Sequence, residues 1–188
     1  MKINLELAVG IPMLGDWIKQ NTEGSKTIVE FGAMYFDKLD HTSPEAERIG
    51  IEIWRPYIDS SWNKASSSIK RIQGDFLKFE ELIEEKEMDC AMFIDTLEHI
   101  SKEQATDLIN KVKQKFNKII LFIPKGNHPQ TEDVTGHGAH EYQTHRSSWM
   151  EKDLEELGFT DIVAHETFHA SEGPKKNHAA MFAIWERD

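Results

Sequence analysis

A chain of 188 residues with 39 % hydrophobic and 29 % charged side chains has the size and balance of one soluble globular domain. Its formal charge of −11 at pH 7 argues against non-specific nucleic-acid binding, which needs a basic face. The single cysteine, Cys90, excludes a disulfide framework and a cysteine-based zinc site.

Glu6 interrupts the first apolar run and no small-residue cleavage site follows, so no signal peptide is expected. Ile11, Leu14, Trp17 and Ile18 have the spacing of an early helix. The β-branched run 27–31, ending near Gly32, predicts the first strand. Residues 49–53 predict a second, and 69–73 a weaker third before Gly74-Asp75. Trp54, Tyr57 and Trp62 lie at roughly helical spacing between these two strands and read as packing residues. Phe76, Phe79, Leu82 and Ile83 give a short helical face, and 91–94 a fourth strand containing Cys90's apolar neighbours. Ser101 with Gln104 forms a capping box ahead of Ala105, Leu108, Ile109, Val112 and Phe116, which follow a 3.6-residue period. Residues 119–123 predict the fifth strand. Ser148 with Glu151 reads as a second capping box and Gly158 as its helix stop. Residues 160–164 and 179–185 supply the last two strands.

The longest apolar runs, 119–123 and 91–94, are too short to span a bilayer. The expectation is a cytoplasmic protein with no membrane or nucleic-acid partner and an unspecified oligomeric state. Short apolar runs bounded by breakers fit strands buried on both faces. Alternating with helices, they predict an α/β fold: a doubly wound, mostly parallel seven-stranded sheet flanked by helices, in one domain spanning 1–188. The rhythm breaks at 124–147, about two dozen residues with no periodicity that hold His128, His137, His140 and His145. Loops longer than roughly 12–15 residues are usually functional or disordered.

Open α/β sheets bind ligands at the carboxyl ends of their strands. The first strand ends in Glu30-Phe31-Gly32, where glycine lets the backbone approach a ligand. The second ends in Glu52, which suits both hydroxyls of a ribose or the cap of the following helix. The third ends in Asp75-Phe76, and Asp75 is equally suited to an N-cap. The fourth runs from Ile94 into Asp95-Thr96-Leu97-Glu98-His99, where Asp95 could cap a turn and His99 could be a partly buried histidine.

This order of strand ends resembles the class I S-adenosylmethionine-dependent methyltransferases over roughly residues 27 to 186. The strongest element is Phe93-Ile94-Asp95-Thr96-Leu97-Glu98-His99-Ile100, which resembles that family's fourth-strand motif. His145-Arg146-Ser147-Ser148-Trp149, the acidic helix after it and Leu157-Gly158-Phe159 resemble the C-terminal part of its small members. The resemblance implies S-adenosyl-L-methionine as cofactor, with Glu30, Gly32 and Met34 around its methionine portion. It places Glu52 on the ribose, Ile53 on the adenine, and Asp75 and Phe76 at the adenine amino group and ring. Ile94 and Asp95 would line the methionine and sulfonium region, and His99 would face cofactor or acceptor. The family's Gly-x-Gly-x-Gly loop is replaced here by Gly32-Ala33-Met34-Tyr35-Phe36.

The resemblance implies a methyltransferase, with a small-molecule acceptor expected and O- favoured over N-methylation. An alcohol gains from a base near physiological pH, and histidine fits best. His99, His128 and His145 are the catalytic candidates, with Arg146 as an anchor for an anionic acceptor group. The altered glycine loop leaves an alternative, a non-catalytic scaffold or ligand-sensing subunit. A nicotinamide-dependent reductase lacks its Gly-x-Gly-x-x-Gly signature here. Metal spacing at His137-Gly138-Ala139-His140 is undercut by the glycines, so no metal site is assigned. His128, Asp133, His137, His140 and His145 could still converge on an ion or be merely polar loop residues.

Overall fold

The computed structural model describes residues 11–84, 87–165 and 179–187. The Glu6 reading lies outside them. All seven expected strands form: β1 Thr27–Phe31, β2 Glu47–Glu52, β3 Lys70–Gln73, β4 Met88–Ile94, β5 Phe116–Pro124, β6 Asp161–His165 and β7 Ala180–Glu186. They make one sheet in the order β3-β2-β1-β4-β5-β7-β6. The pairs among β1 to β5 are parallel, and β7 runs antiparallel to both β5 and β6.

Continuous apolar runs become strands here because both faces are covered. Val29 and Phe31, Ala91 and Phe93, and Ile119, Leu121 and Ile123 face one core. Ile28, then Cys90, Met92 and Ile94, then Ile120 and Phe122 face the other. Helix α4, Lys102–Lys115, covers the first face with Ala105, Leu108, Ile109 and Val112. Helix α1, Ile11–Asn21, covers the second with Leu14, Trp17 and Ile18. The Ser101 capping box forms as read: Ser101 Oγ accepts the Gln104 N–H at 3.2 Å, and Gln104 Oε1 accepts the Ser101 N–H at 3.1 Å. Helix α2, Arg55–Ser61, follows β2.

Two expected helices differ from the reading. The Phe76 segment splits into a 3₁₀ turn, Phe76–Lys78, and a single-turn helix α3, Phe79–Leu82. The helix expected from Ser148 starts only at Glu151. Trp149 is still held extended, its carbonyl accepting the Gly126 N–H at 2.7 Å and its ring 1 % exposed. Asp153 then caps the helix by accepting the Met150 N–H at 2.8 Å, while Glu151 pairs with Lys125 at 2.7 Å. Within the 124–147 segment the only regular piece among the described residues is the short helix α5, His140–Gln143.

The position of Gly50 in β2 is set by packing. A Cβ there would lie 2.3 Å from the Phe36 ring and 2.9 Å from Ala33 Cβ. Phe36 is fully buried and fills that space. Gly50→Ala is therefore expected to overpack the core at a cost of about 1–3 kcal/mol. At roughly 2–4 °C per kcal/mol for a domain of this size, the midpoint of thermal unfolding should fall by several degrees. An unchanged midpoint would show that the Phe36 ring moves aside freely.

Candidate functional site

The parallel register brings the carboxyl ends of β1 to β4 level. Glu30 lies beside Gly50 of β2 and Met92 of β4, and Glu52 lies beside Gln73 of β3. A cavity of about 1130 Å³ opens at these ends. Ligand pockets typically hold roughly 300–1,000 Å³, so there is room for two ligands side by side. Glu30, Gly32, Met34, Glu52, Ile53, Asp75, Phe76, Ile94, Asp95, His99, His128 and His145 all line it. Every site residue expected from the sequence thus reaches one cavity.

The loop after β1 keeps a glycine-like path with one glycine. Its backbone is left-handed at Gly32 (φ 71°), Met34 (φ 47°) and Phe36 (φ 64°), the three alternating positions of the glycine pattern. Gly32 is required twice over. A Cβ on it would meet Thr96 Cγ2 at 2.9 Å, and Thr96 is fixed there by donating to the Phe31 carbonyl at 2.9 Å and the Ile94 carbonyl at 3.1 Å. Met34 is anchored by its N–H, which donates to Glu52 Oε2 at 2.8 Å. Glu52 Oε1 accepts the Trp54 N–H at 2.7 Å. The Ile53 N–H also bears on this carboxylate, so of its roughly four acceptor positions the chain leaves part unfilled. Burial raises the Glu52 carboxyl above its ordinary pKa, and these N–H donors pull against that rise. Asp75 does cap its turn, Oδ1 accepting the Leu77 N–H at 3.0 Å, while the residue still faces the cavity.

The deep wall is acidic. Glu30 is 2 % exposed and its Oε2 has no hydrogen-bond partner. Burial pushes its carboxyl well up, against the opposing charge of Lys38. Asp95 sits in the left-handed region at φ 49°, which a short polar side chain tolerates. Its side chain is exposed at the cavity, and desolvation by the surrounding walls raises its carboxyl above the ordinary range. Glu98 is also driven well up, by burial first and then by the charge of Asp95. Burial, with His145 alongside, lowers His99 to about 4, so it is neutral at pH 7.

No protein-family model matches the chain, and no curated protein matches it by sequence. Solved structures do. A Nostoc punctiforme protein with an unproven O-methyltransferase assignment superposes with a TM-score of 0.60 at 17 % identity, over 91 % of this chain and 55 % of its own. The N-terminal domain of EvdMO1, crystallised with SAH and D-fucose, gives 0.60 at 14 % identity, over 93 % and 83 %. The N-methyltransferase NodS from Bradyrhizobium japonicum gives 0.60 at 14 % identity, over 93 % and 92 %. The chain spans about half the length of the first of these and most of the other two. This is the class I methyltransferase fold.

In that fold the long segment after β5 builds the far wall, and its polar side chains serve chiefly to shape it. Asp133 is a buried hub: Oδ1 accepts from Tyr57 Oη at 2.9 Å and the Thr135 hydroxyl at 2.6 Å, and Oδ2 accepts the Ala139 N–H at 3.1 Å. Desolvation opposes its charge, but these donors win and hold it well below the usual carboxylate range. His140 Nδ1 accepts the Asp133 N–H at 3.1 Å. The His137 ring packs on Tyr35 and Tyr57, and its carbonyl accepts the Trp54 indole N–H at 3.0 Å. The five loop residues weighed as a metal set therefore do not converge. Tyr57 is core, as read, whereas Trp62 is exposed and covered by Arg71 at 4.1 Å. Arg146 lines the cavity with one nitrogen donating to the Glu141 carbonyl at 2.7 Å.

Of the three catalytic candidates, His99 and His145 come together, with ring centroids 4.9 Å apart. His128 lies near them, its Nε2 2.6 Å from the Lys125 carbonyl. The residue missed is Glu98, 2 % exposed beside both rings. An acid between Leu97 and Ile100, both buried, was the available signal that its side chain points inward.

Glu30 yields a stability prediction. Its carboxyl titrates higher in the folded than in the unfolded chain, so the protonated form favours folding. That contribution is full below about pH 4 and is lost as pH rises. Glu30→Gln should raise the free energy of unfolding at pH 8 by about 1–3 kcal/mol, read as a higher unfolding midpoint, and change it little at pH 4. A variant less stable than the parent at pH 8 would reject this account.

Proposed function

We propose that this chain binds S-adenosyl-L-methionine at the ends of β1 to β4 and transfers its methyl group to a hydroxyl of a compact acceptor under the 124–147 segment. The observation that carries the reading is the convergence of Glu30, Glu52, Asp75 and Asp95, from four successive strand ends, on one cavity. The residue types suit the parts of the cofactor in turn. The unpartnered Glu30 Oε2 suits the methionine ammonium. The remaining acceptor capacity of Glu52 suits the ribose hydroxyls, and Asp75 with Phe76 suits the adenine edge and ring. The bound SAH of EvdMO1 supports the same cofactor.

The cofactor supplies an already activated sulfonium methyl, so the protein's work is alignment and exclusion of water. The Asp133 hub stiffens the far wall against Tyr57, and the acceptor would rest between that wall and the strand ends. His99 and His145 are the groups placed to steer the hydroxyl. Imidazoles at this point, neutral at His99, favour an alcohol over an amine. The acceptor is a small molecule, since the cavity is bounded by the domain's own loop, and a polyhydroxylated one such as a sugar suits its polar wall. The cytoplasm is the compartment this reading assumes. Among the described residues no helix is long and apolar enough to cross a membrane.

The replaced glycines favour a second reading, a scaffold or sensing subunit that performs no transfer. Calorimetric titration with S-adenosylmethionine, S-adenosylhomocysteine and NADH separates the cases. Micromolar binding of both adenosyl ligands and none of NADH is expected. Silence from both adenosyl ligands would favour the scaffold. Glu52→Gln should weaken S-adenosylhomocysteine about tenfold to a hundredfold, the loss of charge-assisted bonds of roughly 1.5–3 kcal/mol. Unchanged affinity in the folded variant would reject the ribose role.

A further inference from the structure

We propose that Glu98, His99 and His145 form a binding site for a divalent transition-metal cation in the cavity wall. One ligand-type atom from each lies within 4.8 Å of the other two. Ion–ligand bonds near 2.1 Å would require only small side-chain rotations to close that triangle. The three belong to two segments already clamped together: the Glu98 carbonyl accepts the Arg146 N–H at 2.7 Å and the Ser147 N–H at 3.1 Å.

The cluster is unsatisfied without a cation. Glu98 is 2 % exposed and its Oε2 has no partner, nor has His99 Nδ1. Glu98 Oε1 and His99 Nε2 stand 3.9 Å apart, too far for a hydrogen bond. Buried polar groups left in this way are costly. His145 is set as a metal-binding histidine usually is. Its Nδ1 lies 2.5 Å from the His128 carbonyl, and a carbonyl can only accept, so Nδ1 carries the proton and Nε2 keeps its lone pair. A main-chain acceptor behind a ligating imidazole fixes both tautomer and ring orientation.

One carboxylate and two imidazoles suit manganese, iron or zinc rather than magnesium or calcium, which prefer all-oxygen sites. Three protein ligands leave coordination positions open toward the cavity. On the methyl-transfer reading, those positions would receive the acceptor's hydroxyl oxygens, which ties acceptor choice to neighbouring hydroxyls. Cation binding itself does not depend on that reading.

The test is calorimetric titration of the whole protein with MnCl₂, ZnCl₂ and MgCl₂, without cofactor. One Mn²⁺ or Zn²⁺ per chain is expected, with Mg²⁺ at least tenfold weaker. Glu98→Gln and His145→Ala should each weaken Mn²⁺ at least tenfold, while His137→Ala, outside the cluster, leaves it unchanged. Thermal melting checks that each variant folds, and a rise in the parent's midpoint with Mn²⁺ gives a readout free of mutation. Absence of saturable binding to the parent overturns the proposal. So does binding that survives both cluster variants, or that falls equally with His137→Ala. A parallel titration with S-adenosylhomocysteine in the absence of metal keeps failure of the cofactor reading distinguishable.

Discussion

Glu52 braces the two loops that open the cavity. One carboxylate oxygen holds Met34 at the end of the first loop's turn, and the other holds Trp54 at the start of α2. The first of these bonds bears on the central difficulty of the loop. A non-glycine residue in the left-handed region costs about 1–2 kcal/mol, and a hydrogen bond to a charged group returns about 1.5–3 kcal/mol. Glu52 thus secures a backbone path that glycine would adopt without help. The same residue lines the cavity, so a group that braces the backbone is also presented to whatever the cavity holds.

Phe36 solves the problem differently. Its left-handed backbone is offset by complete burial of its ring, worth about 1.5–3 kcal/mol. Space for that ring comes from Gly50 on the neighbouring strand. The left-handed path at positions 32, 34 and 36 is thus supported by one glycine in the loop and one in β2. At Gly32 itself a side chain has no room, because Thr96 occupies the volume it would need.

This explains what the sequence made legible and what it did not. The strands were readable because burial on both faces writes them as unbroken apolar runs. The order of acids at their ends was readable because each acid follows a run directly. The left-handed path of Met34 and Phe36 was not, since its supports come from Glu52 and Gly50 on another strand. The start of the helix Glu151–Glu156 was misread for a similar reason: a distant backbone partner, Gly126, keeps Trp149 extended past a plausible local cap. The histidines of the 124–147 segment all looked alike in sequence. Packing divides them, giving His137 to the aromatic wall, His140 to Asp133, and His145 to the cavity. Glu98 was overlooked because the eye falls on Asp95 and His99, and only the inward turn of the 3₁₀ segment Leu97–His99 exposes its role.

The charges of the cavity give these parts a common logic. Glu30, Glu52, Asp75, Asp95 and Glu98 share the cavity wall with the cations Lys38 and Arg146 among the described residues. Desolvation is the first cause that drives Glu30, Asp95 and Glu98 toward their protonated forms, and the charge of Asp95 adds to it at Glu98. A positively charged occupant reverses that tendency, because an opposite charge nearby favours the carboxylate. A ligand carrying both an ammonium and a sulfonium would do so along the β1–β4 side. A divalent cation would do so at Glu98, where no residue of the described chain supplies a hydrogen-bond partner for Oε2. Cation binding at either place should therefore release protons from the wall, since each carboxyl held protonated by burial must ionise to face the charge.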